Sequence, residues 1–173
     1  NAQTLVASFT GRGNAAQAYT MALIQIAVYD ATVAVRGADS KNKRPYEPFI
    51  VDIVAPTGAD LNAAIASAAF RVGYERVNNN PTARSTYLNA YNAYLAGIPD
   101  GQAKTDGIAV GEATAQAVLA ARSKDNFYNT ATYSNPAANP GVWQSVLAAT
   151  PYATAGANDY AMAFTMPLTA ASP

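Results

Sequence analysis

Histidine and cysteine are both absent from the 173 residues, which removes most of the chemistry a side chain can do at neutral pH. There is no imidazole to serve as acid, base or ligand, and no Ser-His or Cys-His nucleophile. A zinc site of ordinary type and any thiol or disulfide chemistry are excluded with them. Carboxylates, cations and tyrosines remain. Asp30 stands out because it interrupts the most apolar stretch of the chain. It reads either as a buried base with a raised pKa or as a structural carboxylate, bonded to a helix end or to an arginine such as Arg71. The structural role is the expectation, and Gln25 in the same run is expected to be a second buried structural polar residue. Glu112 reads in the same way. The eleven acidic residues are too scattered to assign an acid pair for sugar hydrolysis.

An oxyanion site needs several Arg, Lys or backbone donors converging on one point. The arginines (Arg12, Arg36, Arg44, Arg71, Arg76, Arg84 and Arg122) are instead spread over separate segments. Arg122 closes a predicted helix, where a cation is ordinary, and Arg71 and Arg76 face different sides of another. Tyr87, Tyr91 and Tyr94 share one predicted helix face. They read as a ligand platform or, as expected, as core whose hydroxyls reach water or backbone.

The elements that must position these groups are helical. Asn14–Arg36 (NAAQAYTMALIQIAVYDATVAVR) carries apolar side chains on nearly every side, the mark of a helix in the middle of a bundle. A membrane span is the rival, since about 20 apolar residues suffice, but Gln25 and Asp30 interrupt the run and no second span follows. Asn14 suits an N-cap and Gly37 a C-terminal stop. A second helix is predicted over 59–78, with Leu61, Ile65, Ala68 and Val72 on one face and Asp60 at its positive end. A third covers 81–96, opened by Asn80-Pro81 and ended by Gly97. A fourth covers 101–122. In it Ala103, Gly107, Gly111 and Ala115 fall four apart, and a mid-helix Gly costs about 1 kcal/mol relative to Ala. This stripe is a candidate groove for helix packing, where another backbone comes very close, or for an interface. The fold class is therefore all-α: an Ala-rich helical bundle over 1–122, with three helices around the first.

Residues 1–13 are expected to form a short helix or strap, and Tyr46–Asp52 an extended cover for a bundle end. Residues 123–173 read as a long irregular segment, rich in Asn, Tyr, Thr, Ser and Pro at first, that packs on the bundle or links to a further part. Trp143, the single tryptophan, is expected to pin it. Only 13% of residues are charged, against roughly 25% in ordinary soluble domains, so much of the surface is expected to be Ala, Asn, Thr, Ser and Tyr or to be covered by a partner. The net charge is zero and no basic patch is evident, so neither nucleic acid nor a membrane surface is an expected partner. The chain opens Asn-Ala, as a processed product would, and a secreted or periplasmic location is the expectation.

Several segments, in order, resemble the bacterial and fungal vanadium-dependent haloperoxidases. MALIQIAVYDA (Met21–Ala31) looks like that family's core helix, and YEPFIVD (Tyr46–Asp52) like its Y-x-P-Y stretch. PTGADLNAAIASAAFRV (Pro56–Val72) is similar to its Ala-rich helix, and IPDGQAKTDGIAVGEATAQAVLAARSKD (Ile98–Asp125) is the nearest match. Gly141-Val-Trp143 follows in family order. The family belongs to the type 2 phosphatidic acid phosphatase superfamily. Its vanadate or phosphate pocket is built by a Lys-to-Arg-Pro motif, a Pro-Ser-Gly-His motif and an Arg-to-His motif, all in a C-terminal half. None of these occurs here, and Gln25 stands where the family often has His. The resemblance thus implies the N-terminal helical scaffold of such an enzyme, with no catalytic residue and no cofactor of its own. Vanadate is implied for the full-length family, and a C-terminal catalytic half or second chain is the implied partner. Homo-oligomerisation is also expected. The alternative is a non-catalytic helical binding or self-assembly module.

Overall fold

A computed structural model describes residues 14–39, 46–77 and 80–124. Four helices make up its regular structure: α1 (Asn14–Asp39), α2 (Leu61–Arg76), α3 (Pro81–Ala96) and α4 (Gln102–Ala121). No strand occurs among the described residues, and the fold is an all-α helical bundle. The compact helical unit ends at Ala121. The predicted N-terminal strap, the basic loop at 41–44 and the Trp143 contact lie outside the described residues.

The helix starts follow local chemistry. Asp60 holds an extended backbone conformation and its side chain accepts from the Ala63 N–H at 2.8 Å. Asn80 does the same for the Ala83 N–H at 3.0 Å, with Pro81 in the first helical position. Each cap satisfies a donor that the first helical turn leaves unpaired. Gly58, at φ 83°, completes the turn before α2, in which the Ala59 N–H donates to the Pro56 carbonyl at 3.1 Å. A positive φ is a conformation that glycine alone adopts without steric cost. One expected stop signal fails. Gly37 does not stop α1, which runs on to Asp39, because a glycine in a last turn weakens a helix without forbidding it.

The arrangement of the helices differs from the predicted one. The helix that touches all three others is α2, while α1 packs on α2 and α4, and α3 joins chiefly through α2. Side-chain size explains the exchange. The faces of α2 carry Ala63, Ala64, Ser67 and Ala68, all buried, and small side chains let neighbouring backbones approach from several directions. The larger side chains of α1 (Tyr19, Leu23, Ile24, Val33 and Val35) form one wall of the core. Fully burying one such aliphatic side chain contributes about 1.5–3 kcal/mol. The opposite side of α1 is open: Ala18, Gln25, Tyr29 and Arg36 are all exposed. By length and composition Gln17–Ala38 could cross a membrane, yet more than half of its apolar window is buried inside the fold.

The stripe on α4 is closed by the same chain. A Cβ at Gly107 would strike the Asp60 carbonyl oxygen and come within 3.0 Å of the Ala63 Cβ. One at Gly111 would strike the Ala64 carbonyl oxygen and lie 2.7 Å from the Ser67 Cβ and 2.8 Å from the Ala68 nitrogen. The backbone of α2 therefore lies directly against α4. A hydrogen bond from the Asp60 N–H to the Ala103 carbonyl, 2.8 Å, holds the two helix starts together. Ala115 is buried and Ala103 exposed. The interface half of the expectation for this groove is corrected: its glycines face α2 of the same chain and are not free to receive a second molecule.

Candidate functional site

Two polar constellations merit attention, and both grow from helices packed on small residues. The first surrounds Asp30. Its side chain is 1% exposed, on the inward side of α1, and it meets neither a helix end nor Arg71. Both oxygens accept instead from three successive backbone N–H groups of the connection between α1 and α2. Phe49 donates to Oδ1 at 2.6 Å, and Ile50 and Val51 donate to Oδ2 at 2.9 and 3.1 Å. Next to it, the Tyr29 hydroxyl donates to the Glu47 carbonyl at 2.8 Å. These bonds strap Tyr46–Asp52 across α1. An acceptor already filled by three N–H donors is not poised to take a proton from a substrate, so Asp30 is a strap anchor.

Gln25 is corrected outright: it is exposed. Five residues separate it from Asp30, which turns it roughly 140° around the helix, onto the outer stripe with Tyr29. A helix apolar at most positions hides which stripe will face outward, and the sequence reading placed Gln25 on the wrong side.

The second constellation joins α2 to both α3 and α4. The Ser67 and Tyr91 hydroxyls are hydrogen-bonded at 2.8 Å. Arg71, one turn beyond Ser67, lies 3.7 Å from Glu112 on α4 and 3.5 Å from Glu75 on its own helix. Desolvation pushes the Glu112 carboxyl above its ordinary range; Arg71 opposes the shift and Glu75 adds to it. The Tyr91 hydroxyl is also raised, first by burial and then by Glu112, while its bond to Ser67 and the charge of Lys104 pull the other way. A raised pKa keeps a tyrosine more fully protonated at neutral pH, so less tyrosinate is present to act as base or nucleophile. Ser67 itself is wholly buried and bonded to that tyrosine. The group lacks an activated nucleophile, and what it does physically is fasten three helices.

The predicted tyrosine stripe divides. Tyr87 is 3% exposed, Tyr91 half-buried, and Tyr94 54% exposed. Burial raises the Tyr87 hydroxyl to about 12, and no hydrogen-bond partner meets its oxygen among the described residues. Tyr91 stacks on Phe70 of α2, with ring centroids 4.2 Å apart, and Phe70 meets Tyr74 at 5.2 Å. The Arg84 guanidinium then lies 4.2 Å over the Tyr74 ring. This ladder is the cement between α2 and α3.

Two further cations are each engaged singly. Arg76 lies 5.5 Å from the Tyr19 ring centroid. Lys104 donates to Asp100 at 2.8 Å and to the Ile98 carbonyl at 3.1 Å, and holds the Asp100 carboxyl below its usual range. Among the described residues no cation cluster fits an oxyanion such as vanadate. Nor does any group of three or more carboxylates there suit a metal ion. Sequence reasoning missed Ser67, Phe70 and Lys104 as contributors. The one signal for the first was its place a helical turn before Arg71, in a stretch rich in Ala.

Comparison with known proteins yields no matching family model, no matching curated protein and no matching solved structure.

Proposed function

We propose that this chain is the N-terminal helical scaffold of a vanadium haloperoxidase-like enzyme, or of a related acid phosphatase-like one. In this reading the vanadate or phosphate site stands on a C-terminal part or a second chain that carries the Arg and His motifs. The observation that carries the proposal is how the family-like segments meet. Asp30 of MALIQIAVYDA receives its three hydrogen bonds from YEPFIVD. Gly107 and Gly111 of the fourth segment seat against Asp60 and Ala64 of the third. Residues that the resemblance rests on are thus among those that join the helices and the strap, as a scaffold role requires. Self-association, if part of this role, uses surfaces other than the glycine stripe.

A vanadate-dependent halogenation assay tests the reading, run on protein from its natural source and on the 173-residue chain made alone. The expected result is activity in the first and none in the second. Activity in the isolated chain would overturn the scaffold role. A second reading, a non-catalytic binding or assembly module, is favoured by one observation: Tyr46 and Phe49 of the strap and Val54 just after it are 58%, 62% and 80% exposed. It predicts no halogenation from either preparation.

A further inference from the structure

We draw no further inference here: the strongest candidate, the exposed apolar patch of Tyr29, Tyr46, Phe49 and Val54 where the α1–α2 strap crosses the first helix, carries nothing because nothing in the structure shows what covers it.

Discussion

Replacing Asp30 by alanine tests the strap most sharply. The carboxylate accepts three N–H bonds at 2.6, 2.9 and 3.1 Å. Hydrogen bonds to a charged group contribute about 1.5–3 kcal/mol each, so three set an upper range of about 4.5–9 kcal/mol. The strap N–H groups are only partly buried, and water reaches them once the carboxylate is gone. A net loss of about 3–5 kcal/mol is therefore expected, a large share of the roughly 5–15 kcal/mol that holds a domain folded. For a chain of this size that lowers Tm by about 6–20 °C. Asp30→Asn keeps the shape and one acceptor oxygen but turns an amide NH2 toward the other donors, so it should fall between wild type and alanine. Urea unfolding gives the free energies. Amide hydrogen exchange shows where the loss is felt: the Phe49, Ile50 and Val51 protons should exchange faster in Asp30→Ala while α3 keeps its protection. An alanine variant within about 1.5 kcal/mol of wild type, the low end for one such bond, would refute the reasoning.

Other consequences are as direct. Gly111→Ala adds a methyl group against the Ala64 carbonyl and the Ser67 Cβ. The clash, about 1–3 kcal/mol for an overpacked site, should exceed the helix-propensity gain of about 1 kcal/mol. The variant should show a lower urea midpoint with unchanged oligomer size by light scattering. Tyr87→Phe removes a buried hydroxyl that has no partner among the described residues, and stability in thermal unfolding should be unchanged or raised by up to about 1 kcal/mol. Glu112 has a folded pKa raised above its ordinary value of 4.5, so the folded state binds its proton more tightly than the unfolded state does. Its stabilising contribution is complete below the ordinary pKa and is lost as pH rises through the folded one. Stability measured from pH 4 to 7 should accordingly decline more in wild type than in Glu112→Gln, and an opposite or absent difference would contradict the assigned burial effect.

The helices were legible because their boundaries are written in local chemistry. Asp60, Asn80-Pro81 and Gly97 each mark an end through a cap or a fixed dihedral, and the spacing of Gly107 and Gly111 announced a close backbone neighbour. Which helix stands in the middle was not legible. Hydrophobicity pointed to α1, but centrality went to α2, whose alanines permit close approach on several sides, a property of size rather than of apolar character. The partners of Asp30 were hidden because they are backbone groups 19–21 residues away, in a connection with no periodic pattern. The Ser67–Tyr91 bond spans 24 residues and depends on how α2 and α3 face each other. Gln25 failed for a related reason: the outward stripe of α1 is set by neighbours and not by its own composition.

The scaffold proposal is tested most directly by intact mass, denaturing and native, of the protein from its natural source. The account predicts a heavier polypeptide or a stoichiometric second chain, with the family's Arg and His motifs in its peptide sequence. A homogeneous 18.0 kDa chain, or a homo-oligomer of it alone, would contradict it.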